Sequence, residues 1–421
     1  MAARSNLSPR GISAAISGNV LEWYDFTAYG FLAPIIATVF FPSNDPVASL
    51  LSSFAVLAVG YAARPIGSAV FGHVGDHIGR KTAMLWSVLM MGAGSVAIGL
   101  LPTHAQIGII APLLLVAIRI VQGIAVAGEY TASGILVIEE TAPRSRFFVG
   151  SWIPFAMMLG CVLGSSVPAG MSSIVSAEAM SAWGWRLPFF FGGVVALFSF
   201  VLRTTLSESS AMAGLERTGP SPVIVAITGY WRQIGQMVGL LIPTAIIYFL
   251  IFVYAASYLT DQMHFSTADA LDISTVNLAV IAFFSLAIGY AADRIGYRTA
   301  YLIGAVGTLL FAWPLWYLMH EPNLLLIFVG QLGFAALNAI GWSLSLTTLA
   351  GLVPANVRCS AVAAGYNICM ALFGGTTPFV ATYLVSRTSD DYAPVYYVMA
   401  ATVVSIIAIL RLPRVLEFDN R

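Results

Sequence analysis

Long apolar stretches recur along almost the whole chain, and they constrain its fold more than any other feature. A helix needs about 20 apolar residues to cross the hydrocarbon core of a bilayer. Twelve stretches meet this requirement, at 14–40, 49–71, 82–101, 108–138, 148–172, 187–206, 233–259, 272–291, 300–319, 323–350, 359–385 and 394–411. Because lipid satisfies no backbone hydrogen bond, these stretches predict an all-α membrane protein with twelve transmembrane helices.

The composition supports this fold class and excludes several others. Of the 421 residues, 59% are hydrophobic and only 9% are charged, whereas a soluble domain carries about 25% charged residues. The formal net charge is zero, so we expect no nucleic-acid partner. The three cysteines have spacings that suit neither a zinc site nor a disulfide framework. We find no phosphate-binding loop, and we expect no cofactor, no metal and no enzymatic activity.

Basic residues predict the orientation of the helices. With the N-terminus inside, only Arg186 and Arg387 fall in outside loops, Arg64 and Arg119 fall within the membrane, and the inside loops hold the remaining Lys and Arg residues. This asymmetry predicts that both termini are cytoplasmic. Glu22 interrupts the first apolar stretch, which favours a membrane helix over a cleaved signal peptide.

Two loops repeat half a chain length apart. GHVGDHIGRK at 72–81 follows the second apolar stretch, and GYAADRIGYR at 289–298 follows the eighth. Parallel repeats of six helices are typical of transporters whose substrate binds between the halves, near the membrane midplane. We therefore predict an N-terminal bundle over 1–206, a cytoplasmic linker over 207–232 and a C-terminal bundle over 233–421.

Several motifs resemble one transporter family. The loop at 72–81 resembles the signature loop of the major facilitator superfamily. Six further motifs resemble the metabolite:proton symporters of that superfamily, which include citrate, α-ketoglutarate, shikimate and proline/glycine-betaine carriers. These motifs are GNVLEWYDFTAYGFLAP at 18–34, ARPIG at 63–67, RIVQGIAVAGEY at 119–130, WGWRLPFFF at 183–191, RCSAVAAGYN at 358–367 and FGGTTP at 373–378. GEYTASGILVIEE is most similar to the proline/betaine carriers.

The sequence departs from that family in two places. Ala127 stands where members usually have a second glycine, and the long coiled-coil tail of the osmosensing carrier is missing before Arg421. Osmotic activation by such a tail is therefore not expected. The resemblance implies a bacterial inner-membrane protein whose partners are a small-molecule substrate, protons and the lipid bilayer, and which functions as a monomer.

Ionisable residues inside the membrane are expensive and mark functional sites. Arg119 keeps its charge and can hold a carboxylate with two parallel hydrogen bonds, so we predict that it anchors the substrate; the alternative is a structural ion pair with Glu22 or Asp25. Glu129 is the first candidate for the proton carrier, followed by Asp25 and Glu22. Arg64 is predicted to close a gate or to form a structural ion pair.

Polar and aromatic residues complete the predicted site. A helical projection places Gln122 and Tyr130 on the same face as Arg119. Aromatic rings can surround a quaternary ammonium group by cation–π attraction, although most membrane aromatics only pack or lie at the interface. The aromatic and amide candidates for substrate binding are Tyr24, Tyr29, Tyr248, Trp342, Tyr366, Asn338 and Asn367.

The resemblance also implies cytoplasmic gates at the repeated loops. Gly374, Gly375 and Pro378 of FGGTTP, in the apolar stretch 359–385, predict a hinge there. Small residues there could equally serve helix packing. The predicted gating residues besides Arg64 are Asp76, Arg80, Lys81, Arg146, Asp293, Arg298, Arg358, Gly374 and Gly375.

These observations favour a proton symporter that imports a small zwitterion or carboxylate, with proline- or betaine-like solutes preferred. Only Arg64 and Arg119 offer cations within the membrane, whereas a substrate with several carboxylates would require more. The alternatives are a symporter of di- or tricarboxylates or other organic acids, and a proton-driven drug exporter. MLGCVLGSSVPAG at 158–170 lacks the Gly-Pro pair of the exporters, which argues for the symporter.

Overall fold

The computed structural model describes residues 9–208, 221–255, 258–259, 263, 265 and 267–419, and helices account for most of them. The first six spans are span 1 (Pro9–Phe40), span 2 (Pro46–Ala62 and Arg64–His77), span 3 (Arg80–Leu100), span 4 (Ile110–Glu139), span 5 (Arg146–Gly150 and Trp152–Ile174) and span 6 (Met180–Gly184 and Arg186–Thr204). Short helices lie at His104–Ile107, Pro143–Ser145 and Ala177–Ala179.

The second six spans follow the same plan. They are span 7 (Trp231–Phe249 and Leu250–Tyr254), span 8 (Thr267–Ile295), span 9 (Tyr297–Leu318), span 10 (Leu324–Ala350), span 11 (Arg358–Cys369, Met370–Gly374 and Thr377–Thr388) and span 12 (Ala393–Leu410). Shorter helices lie at Pro222–Gly229, Ala355–Val357 and Glu417–Asp419. Of the predicted linker, residues 209–220 lie outside the described residues.

The helices are long enough to cross a membrane. Eleven of them, within the described residues, are both long and apolar enough to do so. Span 1 is the twelfth: it has 32 residues, or roughly 48 Å at 1.5 Å per residue, but it carries Glu22 and Asp25 in its middle. The predicted fold class, a twelve-helix membrane protein, is confirmed.

Several spans are interrupted, among them spans 2, 7 and 11. Span 2 breaks before Arg64 because Pro65, in the first turn of the next segment, has no N–H for the helix ladder. Span 7 ends in a π-helical turn at Leu250–Tyr254, and span 11 contains another at Met370–Gly374. Such turns are frequent at functional sites.

Polar side chains are buried inside the bundles, and many large apolar ones face outward. Leu310 and Phe379 are exposed, whereas Glu22, Arg119 and Arg203 are fully buried. This distribution suits a protein surrounded by lipid.

The two bundles meet along related pairs of spans. Span 2 packs against span 11, and span 5 packs against span 8. The repeated loops turn tightly at Gly79 (φ 150°) and Gly296 (φ 85°), which are conformations that favour glycine. Each loop joins the second span of its bundle to the third, so the two loops lie at the same end of both bundles.

Candidate substrate and proton site

Among the described residues, five buried ion pairs lie within the N-terminal bundle; two of them involve Arg80 at the repeated loop, and the other three lie away from that loop. They join Arg119 to Asp25, Arg64 to Glu22 and Arg203 to Glu129. All six side chains are almost completely buried. Because a buried charge requires a partner, these pairs determine which spans of the bundle are held together.

Two of these ion pairs use a carboxylate of span 1, Asp25 or Glu22, and the Arg119–Asp25 pair is the shorter of the two. Arg119 Nη1 donates to Asp25 Oδ2 at 2.6 Å, and Gln122 Nε2 donates to the same oxygen at 3.1 Å. The guanidinium also lies 4.1 Å from the centroid of the Tyr29 ring. Asp25 Oδ1 and Arg119 Nε and Nη2 find no hydrogen-bond partner among the described residues. Of the arrangements left open for Arg119, the ion pair with Asp25 is the one present; its role as substrate anchor stays a prediction.

The Arg64–Glu22 pair is looser. Arg64 Nη2 lies 3.6 Å from Glu22 Oε1, beyond hydrogen-bonding distance. Within the described chain, Arg64 Nε and Glu22 Oε2 are buried without a hydrogen-bond partner. The Arg64 guanidinium lies 4.3 Å from the centroid of the Tyr61 ring and 5.2 Å from that of Phe26.

The Arg203–Glu129 pair fully engages both groups. Arg203 Nη1 donates to Glu129 Oε2 at 2.7 Å, Nη2 donates to Oε1, and Ser87 Oγ donates to Oε2 at 3.1 Å. Arg203 was expected in an inside loop, because it stands at the end of an apolar run, but its side chain is buried and faces its own bundle. The only signal in the sequence was that Glu129 has no basic residue close to it on its own helix and so requires a partner from another span.

Two of the predicted substrate-binding tyrosines point into the N-terminal bundle instead of toward span 11. The Tyr24 hydroxyl donates to the Pro188 carbonyl at 2.7 Å, and the Tyr29 hydroxyl donates to the Ser53 carbonyl at 3.1 Å. Both hydroxyls are therefore occupied by contacts within one bundle.

Other aromatic rings cross between the bundles. Trp23 meets Tyr248 edge to face, with 5.8 Å between ring centroids, and Tyr248 meets Trp342 at 6.0 Å. Tyr130 stacks on Tyr366 at 4.4 Å. Trp23 was not predicted, although it follows Glu22 directly in LEWYDF.

The two candidate asparagines lie deeper in the C-terminal bundle. Asn338 lines a small cavity of about 30 Å³ together with Thr244, Tyr301 and Thr308, and its amide atoms have no partner among the described residues. A cavity of this size can hold water. Asn367 Nδ2 donates to the Ala363 carbonyl of its own helix.

The repeated aspartates join one bundle to the other. Asp76 accepts hydrogen bonds from the backbone N–H groups of Cys359 and Ser360, at 2.9 and 2.7 Å. Asp293 accepts from those of Phe147 and Phe148, at 3.0 and 2.9 Å. Each carboxylate thus caps the first turn of a helix in the opposite bundle, where a negative charge is stabilised.

Arginines strengthen the same end of the molecule. Arg80 donates to Asp76 at 2.8 Å and to the Ala355 carbonyl at 2.7 Å. Arg358 donates to Glu139 at 2.7 Å, and Glu139 also accepts from Arg80 at 3.3 Å. This charged cluster crosses between the bundles.

The remaining gating candidates are distributed around the cluster. Arg146 lies over the Phe418 ring at 4.5 Å. Lys81 donates to the Thr204 carbonyl at 2.9 Å, within its own bundle, and Arg298 to the Leu410 carbonyl at 3.0 Å, within its own. Gly374 and Gly375 lie at the π-helical turn of span 11; nothing in these contacts tests a hinge.

Comparisons with known proteins agree with this architecture. The family model "Sugar (and other) transporter" matches residues 11–217, and the model "Major Facilitator Superfamily" matches residues 237–419. Among solved structures, the proton:xylose symporter XylE bound to 6-bromo-6-deoxy-D-glucose is similar, with a TM-score of 0.80, 18% identity and coverage of 96% of this chain and 97% of that one. The human organic anion transporter MFSD10 has a TM-score of 0.68 and 18% identity over 96% of this chain and 100% of its own.

Similarity to curated relatives is closer. The glycine betaine/proline/ectoine/pipecolic acid transporter OusA of Dickeya dadantii (strain 3937) and the proline/betaine transporter of Escherichia coli (strain K12) are each 34% identical over 411 residues, covering 94% of this chain and 82% of the relative. The fold and these relatives define a multi-pass membrane transporter. The chain belongs to the major facilitator superfamily, and the resemblance inferred from its motifs is confirmed.

Proposed function

We propose that this transporter is a proton-coupled symporter that imports a small zwitterion of the proline or betaine type by alternating access. The observation that carries the proposal is a buried, titratable carboxylate, Asp25, whose guanidinium partner retains unpartnered nitrogens. The names of the relatives support the substrate class. A substrate site between the two bundles of one chain supports a functional monomer, in a bacterial inner membrane with both termini cytoplasmic.

Asp25 is the carboxylate that we propose for the proton. Its Oδ1 has no hydrogen-bond partner within the described chain, so a proton can be added there without first breaking a contact. A neutral Asp25 no longer holds the Arg119 charge, and the freed guanidinium changes its partner. Protonation of Asp25 would then change the contacts that Arg119, on span 4, makes.

Glu129 is a weaker choice than its sequence position suggested. Arg203 contacts both of its oxygens and Ser87 contacts one. Adding a proton to Glu129 would therefore break existing charge-assisted hydrogen bonds. We propose a structural role for this pair.

The contacts that join the bundles indicate which side of the transporter is closed in this conformation. With the predicted orientation, the Asp76, Asp293 and Glu139 contacts lie on the cytoplasmic side, so this conformation is closed to the cytoplasm. Import then requires that these contacts open after substrate and proton have entered from outside.

Uptake into proteoliposomes tests the function. Accumulation of proline or glycine betaine under an inwardly directed proton gradient is expected. Accumulation of citrate, α-ketoglutarate or shikimate instead would favour the organic-acid alternative, and gradient-driven loss of an amphiphilic dye would favour the exporter.

Asp25→Asn tests the proton carrier. Because this variant mimics a permanently protonated carboxyl, it should exchange labelled substrate across the membrane but should not concentrate it. Glu129→Gln, if it folds, should still concentrate substrate. The opposite result for the two variants would return the coupling role to Glu129.

A further inference from the structure

We infer that Glu22 and Arg64 recognise the two charges of the substrate: Arg64 takes the carboxylate, Glu22 takes the cationic nitrogen, and the bound zwitterion separates their ion pair. This inference rests on the proposed function, and it assigns to Arg64 the anchoring role predicted for Arg119.

The first argument is the unused capacity of this pair. Its charged atoms are 3.6 Å apart, compared with 2.6 Å for Arg119 and Asp25. Among the described residues, Arg64 Nε and Glu22 Oε2 have no hydrogen-bond partner although both are buried. Buried polar atoms in native proteins are normally satisfied. The Arg119–Asp25 pair also has atoms without a partner in the described part of the chain, but its carboxylate already accepts two hydrogen bonds, whereas no hydrogen bond joins Arg64 to Glu22 and both groups remain available to a ligand.

The second argument is position. Arg64 begins the segment of span 2 that packs against span 11, and Glu22 directly precedes Trp23, whose ring meets Tyr248 of span 7. The hydrogen bonds of Asp25 instead come from Arg119 and Gln122, within its own bundle. The looser pair thus faces the surface where the bundles meet, where alternating access must expose the substrate.

The third argument is the aromatic surroundings. The Tyr61 ring lies 4.3 Å from the Arg64 guanidinium carbon, which fixes the plane of its hydrogen-bond donors. Trp23, next to Glu22 on span 1, reaches Tyr248 of span 7. A methylated or ring nitrogen near Glu22 would therefore meet aromatic faces as well as a carboxylate.

Charge balance then determines specificity. When a zwitterion binds, its two ion pairs with Arg64 and Glu22 replace the one between these residues, so every charge keeps a partner. A ligand with only a carboxylate leaves Glu22 buried alone, and a ligand with only a cation leaves Arg64 alone. We expect each such analogue to bind on the order of 100-fold more weakly than the zwitterion.

Three ligands of similar shape test this directly: glycine betaine, tert-butylacetate, which lacks the cation, and choline, which lacks the carboxylate. Titration calorimetry on the purified full chain should rank betaine first. Glu22→Gln should reduce the preference for betaine over tert-butylacetate to about tenfold or less, and Arg64→Gln should do the same for the preference over choline. Arg119→Gln should change the affinities for all three ligands by a similar factor.

A double variant covers the case in which a single buried charge prevents folding. Glu22→Gln with Arg64→Gln leaves neither charge unpaired, and it should bind the three ligands without charge preference. The inference is overturned if this double variant keeps the wild-type ranking, or if Arg119→Gln shifts the ranking and Arg64→Gln does not. If the wild type binds neither betaine nor proline, the proposed function itself fails.

Discussion

The Arg203 side chain holds three other spans to span 6. Besides Glu129 of span 4, it donates to the Ala14 and Ala15 carbonyls of span 1, at 3.1 and 2.6 Å, and to the Met84 carbonyl of span 3 at 3.1 Å. A single side chain therefore satisfies several buried acceptors, which is typical of a structural role.

Arg203→Met should destabilise the protein, because Glu129 would stay buried without a counter-charge. Breaking a buried pair from one side costs about 3–5 kcal/mol. A lower melting temperature of the purified protein is expected, with partial recovery in Arg203→Met combined with Glu129→Gln. A wild-type melting temperature for Arg203→Met would contradict the structural role.

At the scale of elements, the short C-terminal helix Glu417–Asp419 contacts both bundles. Phe418 lies 4.5 Å from the guanidinium carbons of both Arg146 and Arg358, which belong to spans 5 and 11. The Glu417 N–H also donates to the Gly351 carbonyl at 2.8 Å. The ring therefore holds two arginines of opposite bundles together.

Phe418→Ala should favour conformations that are open on this side. Two cation–π contacts at about 0.5–1 kcal/mol each predict a roughly 5- to 30-fold change in the open-to-closed ratio. Distances between spin labels on the inner ends of spans 5 and 11 would measure it. Phe418→Tyr, which keeps the ring, should resemble wild type. Equal distance distributions for Phe418→Ala and wild type would show that the Phe418 ring does not hold the two bundles together.

At the scale of the whole molecule, the two aspartate caps are related by the internal repeat. Asp76 of span 2 caps span 11, and Asp293 of span 8 caps span 5, so each bundle closes on the other by the same contact. Hydrogen bonds to a charged group contribute about 1.5–3 kcal/mol, which is enough to shift a conformational equilibrium.

Asp76→Asn and Asp293→Asn should each slow uptake, because an amide oxygen cannot replace a charged carboxylate that accepts two N–H donors. The double variant should be slowest, whereas substrate affinity should change less. Initial uptake rates and equilibrium binding on the same preparation separate these effects. Transport by the double variant at the wild-type rate would show that the caps do not control opening.

The sequence by itself determined the membrane class, the twelve helices and the repeated loops, because hydrophobic length and motif spacing are local properties of the chain. It also identified Glu22, Asp25, Arg64, Arg119 and Glu129 as buried charges, since each interrupts an apolar stretch. Arg203 escaped notice because it stands at the end of its stretch, where a snorkelling or loop arginine is the ordinary expectation.

Only the tertiary structure decided which charge meets which. Glu129 could not be assigned to Arg203, nor Glu22 to Arg64, because the rotation of each helix about its axis depends on packing against helices far away in sequence. The same packing turned Tyr24 and Tyr29 into the N-terminal bundle and brought Trp23 to Tyr248. A helical projection fixes the face that residues share, but only neighbouring helices decide what that face contacts.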